Sequence, residues 1–268
     1  MTNIKKIAVA GATGRVGSHV VDLLEADGHE VVAMSRSTGV DIITGEGLAE
    51  ALTGVDCVID AATGPSPDQK EATDFFTTAA RNLQEEGERA GVKRIVMVSI
   101  IGIDRFSSGY NAAKIAHERT MKAGPIPVRV LRAAQFHEFV ELLVDWGRQG
   151  DVSYVPAMRT QLVAARSVAE ELARLATDPD EGSNGAPFTE IAGPREERLV
   201  DIARLLVERR GEALRIEEGG VLAGEDDALY EAGAVLPGPD ATLTGPTFEE
   251  WLEASGQDLQ RAGEARAE

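Results

Sequence analysis

One short apolar run that leads into three evenly spaced glycines constrains this 268-residue chain more than any other feature. The run Ile7–Ala10 predicts a buried strand, and Gly11, Gly14 and Gly17 follow it directly. Beyond Gly17 the apolar residues recur at helical spacing, so a strand, a glycine turn and a helix are predicted in succession. In that context Gly11 permits a tight turn, Gly14 lets the backbone approach a pyrophosphate, and Gly17 lets the helix pack close to the strand.

The start of this predicted helix offers unpaired backbone N–H groups and the positive end of a helix dipole to an anion. The spacing is Gly-x-x-Gly-x-x-Gly, which differs from the Gly-x-Gly-x-x-Gly of many dehydrogenases, and a turn that only joins strand to helix is the alternative. With its flanks included, the pattern favours a dinucleotide site. The other residues expected to contact the cofactor here are Thr13, Arg15 and Val16.

The second predicted strand, Glu30–Met34, ends where a dinucleotide fold selects its cofactor. An Asp or Glu at this place binds the ribose 2′-hydroxyl of NAD, but here Ser35 and Arg36 follow the strand. A guanidinium can bind a 2′-phosphate through paired, charged hydrogen bonds, whereas a carboxylate would repel it. We therefore expect NADP(H) to be preferred over NAD(H); a solvated surface arginine is the alternative.

Composition narrows the class of protein. The chain is 43% apolar and 27% charged, as in ordinary soluble proteins, and it has no run of 18 apolar residues. Residues 1–6 lack the apolar centre of a signal peptide, so we expect a cytoplasmic protein. Cys57 is the single cysteine and is expected to be a small core residue. The four histidines show no metal-ligand spacing, and no metal site is predicted.

The net charge of −18 lies mostly in the last third of the chain, where residues 178–268 carry 22 acidic and 8 basic side chains. Such a field disfavours nucleic acid and anionic membranes as partners. The expected partner is a small-molecule substrate, and the chain is expected to act as a monomer or a homodimer.

Strand and helix patterns alternate through the first half of the chain, which is typical of a Rossmann-type, doubly wound parallel sheet of the α/β class. Residues 1–177 are predicted to form this domain, with 135–160 partly contributing to a second lobe. Residues 178–268 are predicted to form a small α+β lobe that covers the substrate. The later predicted strands are 40–43, 55–61, 94–99, 128–131 and 162–165, and the later helices are 47–52, 68–90, 110–123, 136–148, 167–177, 199–210 and 247–254.

A tyrosine and a lysine lie four residues apart in the predicted helix that follows strand 94–99. Tyr110 and Lys114 therefore share one helix face, so a phenol and an ammonium can serve one site. A nearby cation favours the phenolate and is expected to lower the tyrosine pKa toward the range of general acid–base catalysis. A surface helix with an aromatic residue near its start is the alternative.

Taken together, these motifs resemble the short-chain dehydrogenase/reductase superfamily, and specifically its atypical NmrA-like branch with an NAD(P)-binding domain. The matching segments fall in the family's order across residues 4 to about 140. They are Gly11–Gly17, Ser35-Arg36, Asp60–Thr63, Val98-Ser99 with Gly102-Ile-Asp104, Tyr110-x-x-x-Lys114 and Leu131–Phe136.

The resemblance implies an NADPH-dependent oxidoreductase that transfers hydride to an apolar carbonyl, a quinone or a related conjugated small molecule. It assigns Tyr110 as the proton donor and Lys114 as its electrostatic partner and as a ligand of the cofactor ribose. It also implies two further sets of contacts. The adenosine-ribose side would be lined by Ala61, Ala62 and Thr63, and the nicotinamide bordered by the turn after Leu131, with Ala133.

One position departs from the family pattern. Many relatives carry a Ser or Thr directly after the serine of strand 94–99, where its hydroxyl holds the substrate oxygen, but Ile100 stands there. Ser99 is therefore the candidate catalytic hydroxyl, with Ser107 and Ser108 as alternatives. Ile100, Phe136 and His137 are candidate substrate-binding residues. The branch also contains non-catalytic proteins that sense NADP(H) and regulate partners, which is the alternative function.

Overall fold

The strand, turn and helix predicted at the start of the chain are β1 (Lys6–Ala10) and α1 (Arg15–Ala26). This computed structural model describes residues 5–178, 186–219 and 226–255. Gly11 has a positive φ of 74°, which a residue with a side chain rarely adopts. A Cβ on Gly17 would lie 2.1 Å from the Gly11 carbonyl oxygen, so only glycine lets α1 begin so close to the turn.

Among the described residues, seven strands form the main sheet in the order β12-β9-β5-β4-β3-β1-β2. The pairs β2–β1, β1–β3, β3–β4, β4–β5 and β9–β12 are parallel, and the Rossmann-type α/β fold predicted from sequence is confirmed. The strands after β1 are β2 (Glu30–Met34), β3 (Cys57–Asp60), β4 (Arg94–Ile100), β5 (Val128–Ala133), β6 (Arg148–Gln149), β7 (Val152–Val155), β8 (Arg159–Thr160), β9 (Thr189–Ala192), β10 (Glu197–Arg198), β11 (Arg215–Glu218) and β12 (Thr242–Leu243).

Helices alternate with these strands through the first half of the chain. The helices after α1 are α2 (Leu48–Ala51), α3 (Gln69–Ala90), α4 (Gly109–Lys122), α5 (Phe139–Trp146), α6 (Ala165–Thr177), α7 (Leu199–Arg209) and α8 (Asp227–Glu231). Residues 248–255 are also helical. Asp68 caps α3 by accepting hydrogen bonds from the N–H groups of Lys70 and Glu71, which fixes where that helix begins.

Successive side chains of a strand point to opposite faces of the sheet, and different helices pack against the two faces. Ala8, Ala10 and Met97 lie in a buried apolar cluster with residues of α2, α3 and α4, such as Leu48 and Leu83. Helix α6 instead contacts α1 and the strands β3, β4 and β5. The parallel strands are therefore covered by helices, as their almost continuous apolar sequences predict.

The chain divides into two compact units. Unit 1 consists of Met1–Ala133 and Ala165–Glu190, and unit 2 consists of Ala134–Ala164 and Ile191–Glu268. The segment 135–160, expected to contribute to the second lobe, belongs to unit 2. In unit 2, β11 pairs in parallel with β7, β6 pairs antiparallel with β7, and β10 pairs antiparallel with β8.

Two predicted strands are wrong. Residues 40–43 form a turn, because the Asp41 carboxylate accepts the N–H groups of Ile43 and Thr44 and its carbonyl accepts that of Gly45. Residues 162–165 contribute only an isolated bridge between Phe136 and Val163 before α6 begins. The short strands β6–β12 were not predicted. The Gly-, Asn- and Pro-containing sequence of residues 180–187 predicts a loop, and most of this segment lies outside the described residues.

Two predictions from composition can be compared with the structure. Cys57 is 1% exposed in β3, and burial raises the pKa of its thiol to about 12, so it is a core residue, as expected. Within the described ranges, no helix combines the length and the apolar character needed to cross a membrane.

Replacement of Gly17 tests the close approach of α1 to the glycine turn. At an open helical position, Gly→Ala stabilises a protein by about 1 kcal/mol. At Gly17 the new Cβ meets a backbone carbonyl that cannot rotate away, so we expect Gly17→Ala to lower the free energy of unfolding by about 1–3 kcal/mol. Urea denaturation measures this change.

Gly87→Ala in α3 is the matched control. Its Cβ would lie 2.7 Å from the Ile126 Cδ1 methyl, a side-chain terminus that can move aside, so its free energy of unfolding should remain within about 1 kcal/mol of the wild type. A Gly17→Ala variant as stable as the wild type would contradict the packing argument.

Candidate active site

Three chain segments meet at the carboxyl edge of the sheet in unit 1. The N–H groups of Gly11 and Ala12 donate to the Met34 carbonyl oxygen at 3.1 and 3.3 Å, which ties the glycine turn to the end of β2. The N–H group of Ala61 donates to the Ala10 carbonyl oxygen at 3.1 Å, which ties the end of β3 to the end of β1. Ligands of open parallel sheets bind at this edge.

The glycine turn has the shape that a pyrophosphate requires. A Cβ on Gly11 would lie 2.8 Å from both the Ala61 carbonyl oxygen and the Ala62 Cα, so the turn packs directly against the segment after β3. Gly14 caps α1 without a side-chain bond and is exposed, and the first turn of α1 carries no acidic residue. The backbone N–H groups at the start of α1 can therefore bind a phosphate, whereas those of Gly11, Ala12 and Gly14 already donate within the protein. Thr13 and Arg15 are exposed there, whereas Val16 is buried.

The residues expected to select the cofactor follow β2 in a 3₁₀ turn, Arg36–Thr38. The Ser35 and Ser37 hydroxyl oxygens are 2.8 Å apart, and Thr38 Oγ1 donates to the Ala33 carbonyl oxygen at 2.7 Å. These bonds hold the turn, and the Arg36 side chain is exposed. A guanidinium therefore stands free of the sheet at the end of β2.

Tyr110 lies in the first turn of α4 and reaches the end of β3. Its phenol oxygen is 3.0 Å from Thr63 Oγ1, and its ring packs edge-on against Phe76 of α3, with centroids 5.7 Å apart. Burial raises the pKa of Tyr110, and the Thr63 hydrogen bond only partly opposes it. The phenol is therefore neutral at physiological pH, which is the form that can donate a proton.

Lys114, one helical turn further along α4, is 4% exposed. Its Nζ donates to the Val98 carbonyl oxygen and to His117 Nδ1, both at 3.0 Å, and lies 4.4 Å from the centre of the Phe76 ring. Burial lowers the pKa of Lys114 to about 8. The expectation that this cation lowers the pKa of Tyr110 is wrong, because its described hydrogen bonds go elsewhere and burial dominates the phenol.

Two residues of the site were given no role of their own from the sequence, although Asp60 begins the matching segment Asp60–Thr63. His117 Nε2 is 2.9 Å from Asp60 Oδ2, and both side chains are 1% exposed. The other Asp60 oxygen accepts the Ala62 N–H group at 3.1 Å, directly beside the glycine turn. The sequence shows a histidine three residues after Lys114 and an acid at the end of a buried strand. Only the fold shows that these two residues are neighbours.

Ser99 does not take the place expected of a catalytic hydroxyl. It is 2% exposed in β4, near the Glu118 carboxyl, and its hydroxyl oxygen has no hydrogen-bond partner among the described residues. Glu118 in turn accepts two hydrogen bonds from Arg132, each 2.9 Å long. This side chain lies buried beside an ion pair, and its role as the catalytic hydroxyl stays a prediction. Its neighbour Ile100 is half-buried and pairs with Ala133, which is 2% exposed at the end of β5.

In unit 2 the two predicted substrate residues behave differently. Phe136 is half-buried beside its bridge to Val163. His137 is 1% exposed and packs against the rings of Phe248 and Trp251, with centroids 5.4 and 5.5 Å away. Burial lowers its pKa to about 4. His137 is therefore a buried, neutral histidine, and its role in substrate binding stays a prediction.

No group of three His, Cys, Asp or Glu side chains suited to a metal ion is found among the residues that the structure describes. The polar groups that the fold does bring together are the glycine turn, Arg36, the Tyr110–Thr63 pair and the buried Lys114 network.

Comparison with known proteins decides the family. A family described as NAD(P)H-binding matches residues 11–179, which is more than half of the chain and contains the glycine turn, Arg36, Thr63, Tyr110 and Lys114. The chain belongs to this NAD(P)H-binding family. The predicted NAD(P)-dependent oxidoreductase of the atypical short-chain dehydrogenase/reductase type is confirmed.

Individual relatives are distant. The chain is 22% identical over 245 residues to the 3-oxoacyl-[acyl-carrier-protein] reductase MabA of Mycobacterium bovis, covering 87% of this chain and 90% of the relative. Its fold is similar to that of MoeE5 in complex with UDP-glucose and NAD, with a TM-score of 0.71, 19% identity, and 95% and 99% of the two chains covered. It is also similar to the NADPH-dependent quinone oxidoreductase QOR2 of Escherichia coli, complexed with NADPH, with a TM-score of 0.66, 18% identity, and 92% and 99% covered.

The buried position of His137 leads to a prediction about stability. Its pKa in the folded protein, about 4, is below its ordinary value of 6.5, so the unfolded chain binds the proton more readily between these values. The free energy of unfolding should therefore fall as the pH falls from about 6.5 to about 4, with His137 contributing up to about 1.4 kcal/mol per pH unit.

His137→Gln keeps a donor for the Pro246 carbonyl oxygen but cannot titrate. In urea denaturation across this pH range, the variant should lose stability less steeply than the wild type. Equal slopes for the two proteins would show that His137 does not titrate as its burial implies.

Proposed function

We propose that this oxidoreductase uses NADPH, in preference to NADH, to reduce an apolar carbonyl, a quinone or a related conjugated small molecule. The observation that carries the proposal is the Tyr110–Thr63 hydroxyl pair, which stands at the end of β3 beside the glycine turn. A proton donor and a dinucleotide cradle thus share one edge of the sheet.

The cofactor preference rests on charge. The dinucleotides in the solved structures with this fold include both NAD and NADPH, so the fold does not choose between them. Arg36 is exposed at the end of β2, where an acid would bind the ribose 2′-hydroxyl of NAD. A guanidinium at this place supplies a charged donor to a 2′-phosphate.

The proton chemistry belongs to residues of this chain. When bound, NADPH supplies a hydride to the substrate carbon. Tyr110 donates its phenolic proton to the substrate oxygen as negative charge develops there, and the Thr63 hydroxyl stabilises the resulting phenolate through their hydrogen bond. Thr63 thus has a catalytic role in this proposal, in place of the hydroxyl that Ile100 lacks.

The proposed class of substrate rests on the residues that directly precede Tyr110 in unit 1. Residues 106–109 contain no lysine or arginine that could hold the phosphates of a sugar nucleotide. Although MoeE5 was solved with UDP-glucose, an apolar acceptor of the kind that QOR2 reduces suits these residues better. The second candidate, a non-catalytic sensor of NADP(H), has no residue-level feature to favour it over an enzyme with Tyr110 in place.

Arg36→Asp tests the cofactor preference. Loss of a charged hydrogen bond should weaken NADPH binding by about 1.5–3 kcal/mol, while NADH binding should change much less. Calorimetric titration of both cofactors measures this. Because the substitution also changes the net charge, Arg81→Asp on the exposed face of α3 is the matched control and should leave both affinities near those of the wild type. NADH binding as tight as NADPH binding in the wild type would contradict the proposal.

Tyr110→Phe tests the proton donor. With an acceptor found by screening ketones, quinones and dyes for NADPH oxidation, turnover should fall by about 10²–10⁴-fold, because a general acid is lost, while NADPH affinity stays nearly unchanged. Thr63→Val should lower turnover less, since the phenol remains. Tyr154→Phe in unit 2 is the control and should keep full turnover.

Full activity in Tyr110→Phe would show that the proton comes from solvent or another group. If no acceptor is reduced, although NADPH and NADP⁺ bind with different affinities, the sensor is the better description of the chain.

A further inference from the structure

Lys114 carries a positive charge where charge is costly. Its side chain is 4% exposed, and an isolated ammonium at such depth would lose its proton or destabilise the fold. The described contacts of its Nζ are the Val98 carbonyl oxygen, the face of the Phe76 ring and His117 Nδ1, none of which carries a full negative charge when the imidazole is neutral. The carboxylate that balances Lys114 therefore acts from further away.

The hydrogen bonds determine the form of the imidazole. An ammonium can only donate, so His117 Nδ1 must accept, and the single ring proton must then lie on Nε2, which donates to Asp60 Oδ2 at 2.9 Å. A second proton on the ring would face the ammonium. Burial and the Lys114 charge accordingly lower the pKa of His117. His117 is thus a neutral bridge, in one tautomer, between a cation and an anion.

The bridge is rigid. His117 stacks on Phe76 with ring centroids 4.7 Å apart and an angle of 20° between the planes, and the same Phe76 packs against Tyr110. Phe76 and Asp60 are each 1% exposed. The Phe76 ring therefore contacts His117, Lys114 and Tyr110 and fixes the positions of these three side chains relative to one another.

We propose that Asp60 and His117 are positioning residues that keep the Lys114 ammonium charged and in place one helical turn from Tyr110. The inference deepens the proposed function and rests on it for its catalytic meaning. The Asp60 carboxylate favours the charged form of Lys114, and the neutral His117 imidazole links the two residues through its hydrogen bonds. No proton is transferred along these hydrogen bonds. Loss of the Asp60 charge makes the ammonium easier to deprotonate.

The other charges near Lys114 are few. On α4 itself, Glu118 also favours the charged lysine, but Arg132 of β5 holds both of its carboxylate oxygens. From β3 the facing group is Asp60, and from β4 it is the neutral Val98 carbonyl. Asp60 is the acid facing Lys114 whose own hydrogen-bond partner is neutral. Loss of the Asp60 charge should therefore destabilise the charged form of Lys114 more than loss of the Glu118 charge.

The experiment follows Lys114 directly by NMR of protein labelled with ¹³C at the lysine Cε. The chain has only six lysines, and Lys114→Arg assigns the signal. In the wild type we expect a titration near pH 8. In Asp60→Asn, the midpoint should move about one pH unit or more toward acid. The upper pH limit of NADPH binding should move with it, because the charged form binds.

Three variants separate a bridge from a merely structural role. His117→Gln keeps one acceptor and one donor and should retain a titration near that of the wild type. His117→Leu removes both and should shift the midpoint as Asp60→Asn does. His29→Gln replaces another buried histidine of unit 1, one that accepts the Lys5 N–H group, and should leave Lys114 unchanged.

An unchanged Lys114 midpoint in a folded Asp60→Asn or His117→Leu protein would overturn the proposal, as would equal shifts in His117→Gln and His117→Leu. If Asp60→Asn fails to fold, the two His117 variants decide. The NMR readout needs no turnover, so absence of NADPH oxidation in the wild type would count against the proposed function and not against the bridge.

Discussion

The contact between Gly17 and the Gly11 carbonyl is the constraint on which the rest of the site depends. With no Cβ at Gly17, α1 begins directly against the turn, and the turn can donate two N–H groups to the end of β2. The same turn packs on Ala61 and Ala62, so the ends of β1, β2 and β3 are drawn to one point. Any side chain at Gly11 or Gly17 would push these segments apart.

Helix α4 is joined to that point by two polar contacts, an exposed one from Thr63 and a buried one from Asp60. Thr63 bonds Tyr110, and Asp60 bonds His117, so two residues of one strand end hold two residues of one helix. Buried polar groups of this kind cost free energy unless each finds a partner. Here each group has a partner: Asp60 binds His117, His117 binds Lys114, and Lys114 binds the Val98 carbonyl oxygen. These hydrogen bonds hold α4 at a defined rotation about its axis.

The same logic distinguishes Thr63, the hydroxyl proposed to act in the site, from Ser99. Ser99 lies within β4, beside the ion pair of Glu118 and Arg132, which anchors α4 to β5. Its hydroxyl therefore belongs to the packing between helix and sheet. Thr63 lies beyond the end of β3, where the chain has left the sheet and its side chain is exposed. A hydroxyl is accessible here when its residue lies beyond the end of a strand, as Thr63 does. Closeness in sequence to the family's serine motif, as for Ser99, does not make it accessible.

Sequence alone determined the features whose causes are local. An apolar run and glycine spacing specify β1, the turn and α1, and helical periodicity places Tyr110 and Lys114 on one face. Only the tertiary structure decided the partners: Thr63 and Tyr110 are 47 residues apart in the chain, and Asp60 and His117 are 57 apart. It likewise made 40–43 a turn and added β9 to the sheet. These contacts depend on strand order, and local patterns do not encode which strand ends will become neighbours.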